Sequence, residues 1–230
     1  APFPPQKSSP NSPDSHAQQR YNPNPVQWYW RALITDLDQW VKDGTEPPAS
    51  AYPKIADGTL VPLGKWKFPA VPGVNKPHEA SLAYHLDFGP QWKEGIVGLE
   101  PPVVGKPFAV FVPQSDANGN DLGGVSLPEL RVPLASYTGW NLRDPSIGAS
   151  DLRLSFYGSF IPFAKTKAER DKTGDPRLSI AERYGSREDY IRKFREAATE
   201  LMRERFLLPE DLPGLMERGS REWDEVTKPE

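Results

Sequence analysis

Histidine is the side chain of this 230-residue chain best suited to general-base chemistry, and it occurs only at His16, His78 and His85. Their spacing matches no metal-binding pair, and the sequence has no Cys, no G-x-S-x-G nucleophile elbow, no P-loop and no H-E-x-x-H motif. His16 precedes the first predicted helix, as a triad histidine would, but no elbow supplies its serine. We therefore predict no catalytic residue in the chain. His16 is the one candidate, and a solvated loop histidine is the more common case.

Oxygen-bearing side chains recur at alternate positions in Asp116, Asn118 and Asn120, as in the first half of a calcium-binding loop. The pattern then fails, because the sixth position lacks Gly and Leu127 stands where a bidentate Glu would close the shell. Asn118-Gly119 is also the ordinary tip of a β-hairpin. These three residues are the metal candidates, a polar hairpin tip is the favoured interpretation, and no cofactor is predicted.

Trp140, Asn141 and Arg143 combine an aromatic surface with an amide and a guanidinium, which could form the rim of a substrate cleft. The alternative is structural: Trp140 anchors a core, and Arg143 joins a buried ion pair. Aromatic residues beside Gly more often pack than bind, so the structural interpretation is favoured.

Composition narrows the class of partner. The formal charge of -3 and pI near 5.8 provide no basic excess for phosphates, so no nucleic acid is expected. No apolar run approaches the roughly 20 residues that cross a bilayer, so no membrane span is predicted. The absence of Cys excludes disulfides but leaves the compartment open between secreted, periplasmic and cytoplasmic. With 27 Pro and 18 Gly, we expect a folded but loop-rich body.

The chain divides by pattern into four segments: a Pro/Ser-rich loop over residues 1–23, a helix over 24–44, an irregular β-rich extension over 45–164, and a helical tail over 165–230. Asn24-Pro25 is a typical helix start. The first helix carries an apolar stripe of Val26, Tyr29, Trp30, Leu33, Leu37, Trp40 and Val41.

Within the extension, residues 108–112 and 125–134 flank the polar turn and predict a hairpin. In the tail, a first helix ends at Gly174, Ser179 and Glu182 have capping-box spacing, and Ser186 precedes a long amphipathic helix. Pro209 breaks that helix, and a shorter one follows it.

Several strings along the chain are distinctive. They are residues 31–48 (RALITDLDQWVKDGTEPP), 52–61 (YPKIADGTLV), 112–121 (VPQSDANGND), 133–143 (PLASYTGWNLR), 161–170 (IPFAKTKAER), 174–184 (GDPRLSIAERY) and 204–211 (ERFLLPED). Together they resemble the C-terminal part of a bacterial family of alpha/beta-hydrolase domain-containing proteins. The resemblance extends from about Tyr21 to the end of the chain.

This resemblance implies an α/β fold, of which the chain would be the C-terminal segment. It places the nucleophile, the acid and the catalytic His upstream of Ala1, in a catalytic part that is the expected partner. The implied activity is acyl hydrolysis of a small ester by a Ser, His and acid triad. The chain alone would be mainly structural and inactive. Its first helix would cover one face of the hydrolase sheet, so in isolation the apolar stripe would be exposed.

Two other functions remain open from the sequence. One is a stand-alone carbohydrate- or protein-binding module that uses Trp66, Trp92 and Trp140 as binding surfaces. The other is an accessory subunit that docks through the first helix.

Overall fold

The computed structural model describes residues 16–228, and within them it contains six α-helices and seven short strands. The helices are α1 (Gln27–Asp43), α2 (Pro128–Arg131), α3 (Lys167–Thr173), α4 (Ile180–Arg183), α5 (Arg187–Arg203) and α6 (Leu212–Thr227). The strands are β1 (Arg20–Tyr21), β2 (Leu60–Pro62), β3 (Tyr84–Asp87), β4 (Val103–Pro107), β5 (Phe111–Pro113), β6 (Ala135–Tyr137) and β7 (Ser159–Pro162). The fold is mixed α/β, as predicted.

The described strands form three small antiparallel sheets. β7 is the centre of a three-stranded sheet and pairs with β1 on one side and β6 on the other. β2 pairs with β5, and β3 pairs with β4, as separate two-stranded ribbons. Only the β6–β7 region is buried; side chains of the β3–β4 ribbon are exposed along both strands.

The core lies between the three-stranded sheet and the helices of the C-terminal third. α5 presents Tyr190, Phe194, Ala198 and Leu201 to it, a spacing that places them on one helical face. α6 approaches α5 closely at Gly219, where a Cβ atom would lie 2.8 Å from the Phe194 ring. The strands β6 and β7 and the residues next to them contribute Leu134, Ala135, Tyr137, Phe160 and Phe163, and α1 contributes Trp28 and Tyr29.

α1 begins two residues later than its predicted N-cap indicates. Its N-cap is Val26, without a side-chain hydrogen bond, rather than Asn24. The reason is tertiary: the Asn24 side-chain oxygen accepts from Arg218, so it is not available to the helix. α1 ends at Asp43 and is followed by Gly44, which has the positive φ of a helix C-cap (77°).

The predicted hairpin between residues 108–112 and 125–134 is wrong. β5 pairs instead with β2, and residues 128–131 form α2, with Pro128 in its first turn. The polar turn itself is present, but it closes through a single bridge between Ser115 and Asp121, with positive φ (81°) at Gly119 alone. A pattern of alternating apolar residues specifies a strand but not which strand it pairs with.

Helix starts in the tail follow the sequence signals. Thr166 and Glu169 form a capping box on α3, which ends at Gly174, and Ser179 and Glu182 form the predicted box on α4. The Ser186 side chain accepts from the Asp189 N–H at the start of α5. These are contacts within one helical turn, which is why the sequence alone predicts them.

Candidate functional site

The three histidines lie on separate segments and are all exposed. His16 uses its backbone oxygen to accept from the Asp144 N–H, 2.9 Å away. The His85 ring packs against Phe108, with ring centroids 3.8 Å apart. Within residues 16–228, no group of three His, Asp or Glu side chains is arranged to hold a metal ion.

The oxygens of the calcium candidates are occupied by hydrogen bonds within the protein. Asp116 Oδ1 accepts from the backbone N–H groups of Asn118 and Asn120, each at 2.8 Å. Asn118 Oδ1 accepts from the guanidinium of Arg183 at 2.6 Å, and Asn120 Oδ1 accepts from the Tyr137 N–H at 2.7 Å. A guanidinium on one candidate ligand would repel a cation. The arrangement therefore matches a structural turn that is anchored to β6 and α4.

Asn141 and Arg143 are used to fasten neighbouring backbone. Asn141 is fully buried, and its amide bonds both the N–H and the oxygen of Gln19, which holds the segment before β1 in place. Arg143 donates to the oxygens of Ile147 and Gly148 at 3.1 and 3.0 Å. Both side chains are therefore bonded to the backbone of this chain. Of the three rim candidates, Trp140 alone lines one of the two cavities described next.

Trp140 lines two adjoining cavities that share part of their walls and together form a cleft. The larger has a volume of about 450 Å³ and the smaller about 220 Å³. Both are lined by Glu79, Ala80, Gly139, Trp140 and Arg153. Aromatic and charged side chains that converge on one concave surface are typical of a ligand-binding cleft.

Phe156 stands at the edge of the larger cavity in an unusual conformation. Its φ is +65°, which a bulky residue rarely adopts, and its side chain is fully exposed. Strained backbone of this kind is concentrated at functional sites. The ring forms part of the lining of the larger cavity.

The second candidate site is the outer face of α1. Its inner face, with Trp28, Tyr29, Ala32 and Asp36, is buried against this chain. The outer face leaves large apolar side chains in contact with solvent: Val26, Trp30, Leu33, Ile34, Leu37, Trp40 and Val41. Tyr29 was predicted to belong to this stripe and instead packs inward, because its hydroxyl reaches the buried Glu129. We call the exposed set the α1 outer face.

Comparison with protein families matches residues 3–217 to the alpha/beta hydrolase domain. The chain belongs to this family. No curated protein and no solved structure was found to match it. The match agrees with the family resemblance read from the sequence strings.

In this alpha/beta hydrolase domain chain, the helices of residues 16–228 include none with the length and apolar character that a bilayer crossing requires. The carboxyl groups that line the cleft, at Glu79, Asp121 and Asp151, all belong to exposed residues. Burial of the Asp121 carboxyl and the nearby charge of Asp116 raise the pKa of Asp121 to about 6. It lines the smaller cavity beside Trp140.

The Asp121 carboxylate is expected to weaken the fold at neutral pH. Its folded pKa lies above the ordinary value of 3.8, so its contribution to stability is favourable at low pH and is lost as pH rises through about 6. Asp121→Asn should therefore melt at a temperature about 1–3 °C higher than the parent at pH 7.5, and at the same temperature below pH 4. Thermal unfolding followed by circular dichroism at both pH values checks this. Glu94→Gln, an exposed carboxyl elsewhere, is the control, and a pH-independent difference would contradict the assignment.

A buried ionic cluster that the sequence analysis missed lies behind α1. Arg218 on α6 donates to Glu129 Oε1 at 2.7 Å and to Glu222 Oε2 at 3.0 Å, and both carboxylates are almost fully buried. Tyr137 donates to the other oxygen of Glu222. Burial raises the pKa of Glu222, and Arg218 opposes that rise. We call these residues the Arg218 cluster.

The Arg218 cluster also binds the segment that leads into α1. The same guanidinium donates to the oxygen of Pro23 and to Asn24 Oδ1, which fixes the entry into α1. A sequence signal existed in the i, i+4 spacing of Arg218 and Glu222, although such pairs usually lie on solvated faces. The cluster is nearly closed to solvent, and its contacts orient the entry into α1.

Proposed function

We propose that this chain is a mainly structural segment of a serine-type alpha/beta-hydrolase, whose nucleophile, acid and catalytic His lie upstream of Ala1. The α1 outer face would cover a sheet of the catalytic part, and the whole protein would hydrolyse a small ester. The observation that carries the proposal is that α1 is apolar on two faces while residues 16–228, the part of the chain that the structure describes, bury only one of them.

The physical argument rests on the cost of exposed apolar surface. Burial of apolar area contributes roughly 25 cal/mol per Å², and large contiguous apolar patches on a soluble protein usually mark interaction surfaces. Trp30, Ile34, Leu37 and Val41 recur at intervals of four, three and four residues, so they lie in one stripe. A stripe of this shape is the face by which a helix packs on a neighbouring layer.

Ion pairs with the C-terminal third of the chain fix the position of α1. Arg31 pairs with Asp211 at 2.6 Å, and Asp36 accepts from Arg205 at 2.5 Å. Together with the Arg218 cluster, these contacts fix the rotation of α1 on the core of this chain. The outer face is thereby presented in one orientation, which reduces the entropy lost on docking.

The cleft around Trp140 and Phe156 supports a second part of the proposal. In the whole enzyme it would form one wall of the substrate site, with the reacting groups supplied by the catalytic part. Asn141 and Arg143, which bond to the backbone of Gln19 and Gly148, are not assigned to that wall.

The coding sequence ahead of Ala1 and the activity of the protein test this function. We expect an in-frame G-x-S-x-G elbow and a later His upstream, and we expect the present chain alone to hydrolyse p-nitrophenyl acetate no faster than buffer. Esterase activity of this chain that is abolished by His16→Ala would refute the proposal, as would an upstream sequence without an elbow.

Charge placed on the α1 outer face should abolish its apolar character without unfolding the chain. Ile34→Glu with Leu37→Glu should lower the fluorescence of bound anilinonaphthalene sulfonate severalfold, because both side chains are exposed and contribute to one patch. Helicity should change little, and the free energy of unfolding measured with urea should change by about 0.5 kcal/mol or less. Ala49→Glu with Ser50→Glu, exposed positions beyond α1, adds the same charge as a control. Equal dye binding by both double variants would argue against this face.

In the longer protein, the same Ile34→Glu and Leu37→Glu change should remove the hydrolase activity and release the two parts to limited proteolysis. The Ala49→Glu and Ser50→Glu control should keep both properties.

A further inference from the structure

The smaller cavity of the cleft has an aromatic corner. Trp66 and Trp140 meet edge to face, with ring centroids 5.9 Å apart and planes at 89°. Phe68 lies 5.3 Å from Trp140 at 70°. The Trp66 indole N–H donates to Ser115 Oγ at 3.0 Å, which fixes the orientation of that ring. Rings set at right angles around a corner are the geometry by which aromatic cages hold organic cations.

The side chains that line the same cavity include more negative than positive groups. Glu79 and Asp121 line it, and neither carboxylate forms an ion pair with another of the described residues. The one cationic side chain in its lining, Arg153, donates to Ser81 Oγ at 2.6 Å. The lining thus holds two carboxylates and one guanidinium, and the Lys76 ammonium over the Trp66 ring is a second cation beside it. In a partly enclosed, apolar-walled space, charges interact more strongly than in water.

The protein already places one of its own cations on this corner. The Lys76 ammonium lies 5.8 Å from the centroid of the Trp66 ring. Lys76 is exposed and could extend into solvent, so its position indicates that the ring face attracts positive charge.

We propose that this cavity binds a compact organic cation of the quaternary ammonium class, with the cationic group against the Trp66–Trp140 corner and near Glu79 and Asp121. The volume of about 220 Å³ is sufficient, since an apolar cavity of about 150 Å³ holds benzene. The site is formed by residues of this chain alone, so it does not depend on the hydrolase function proposed above.

A neutral sugar fits these features less well. Sugar recognition by stacking uses open, flat ring faces, whereas Trp66 and Trp140 are perpendicular and partly cover each other. Trp92, the third residue of the carbohydrate hypothesis, is exposed on a turn after β3 and lines neither cavity of the cleft.

The test is a titration of the ¹⁵N-labelled chain with choline, followed through the indole N–H signals of its seven Trp residues at constant ionic strength. We expect saturable shifts at Trp66 and Trp140. The uncharged isostere 3,3-dimethylbutan-1-ol should bind at least about tenfold more weakly than choline, because it lacks the positive charge. Equal binding of the two compounds, or no saturable shift with choline, would overturn the proposal.

Variants separate the site from general effects. Glu79→Gln with Asp121→Asn should weaken choline binding by about fivefold or more, whereas Glu94→Gln with Glu100→Gln, an exposed pair elsewhere, should not. Lys76→Met should tighten binding, because it removes the tethered cation that competes for Trp66. Unchanged binding in the first double variant, weaker binding in Lys76→Met, or matching shifts with a neutral sugar such as cellobiose would each count against the assignment.

Discussion

Replacing Arg218 with Met is expected to lower the free energy of unfolding by about 3–5 kcal/mol at pH 7. The guanidinium is the only cation within hydrogen-bond reach of the buried Glu129 and Glu222 among the described contacts of these two carboxylates. Without it, two carboxyl groups remain in a low-dielectric interior with only tyrosine hydroxyls as partners. Urea denaturation followed by circular dichroism measures the loss.

The loss should depend on pH in a defined direction. Burial already raises the pKa of Glu222 above its ordinary value, and removing Arg218 removes the charge that opposes that rise. A carboxyl with a raised folded pKa favours the fold when protonated and weakens it as pH rises through that pKa. The deficit of Arg218→Met should therefore shrink as pH is lowered from 7 toward 5.

Arg221→Met is the matched control for this prediction. Arg221 lies on the same helix and pairs with Glu217, but both side chains are largely exposed. Exposed pairs of this kind contribute about 0–1 kcal/mol. If Arg218→Met unfolded within 1 kcal/mol of the parent, the Arg218 cluster would not have the structural role assigned to it.

Gly158→Ala is expected to be the most damaging small substitution, at or above the 1–3 kcal/mol typical of overpacking. A Cβ atom at Gly158 would lie 2.1 Å from the backbone oxygen of Thr138, which cannot rotate away. The Gly158 oxygen also accepts from the Asn22 N–H and the Asn141 side chain. Any shift of this backbone would disturb the N-terminal segment, so the effect extends beyond one clash.

Thermal and urea unfolding measure this change, with Gly64→Ala as the control, since a Cβ there has no neighbour within 4 Å. The control should remain within about 0.5 kcal/mol of the parent. A Gly158→Ala protein as stable as the parent would mean that β6 and β7 are less closely packed than described.

The tail illustrates where sequence reasoning succeeds. Ser186, the capping box of Ser179 and Glu182, and the stop at Gly174 each depend on groups within a few residues, so residue type and spacing are sufficient to predict them. The stripe of α5 is predictable for the same reason. The helix start in Pro128-Glu129 was missed, although Pro in a first turn is a local signal, because the hairpin pattern was followed through it.

The pairing of β5 and the candidate cleft illustrate the opposite case. β5 pairs with β2, some fifty residues earlier in the chain, and nothing in its own residues specifies that partner. Trp66 and Trp140 come together from segments that are even farther apart in the chain. The sequence named Trp140, Asn141 and Arg143 as one group, and their contacts divide it: Trp140 lines the cleft, and the other two hold neighbouring backbone.

The sequence by itself determined the family, the amphipathic character of the first helix and the absence of a nucleophile elbow, because these depend on residue identity and short-range spacing. Only the tertiary structure decided which face of α1 is covered. Both faces are apolar in sequence, and the choice follows from long-range contacts: Arg218 holds the entry to the helix, and Arg205 and Asp211 hold its inner side. Those contacts leave Trp30, Ile34 and Leu37 exposed.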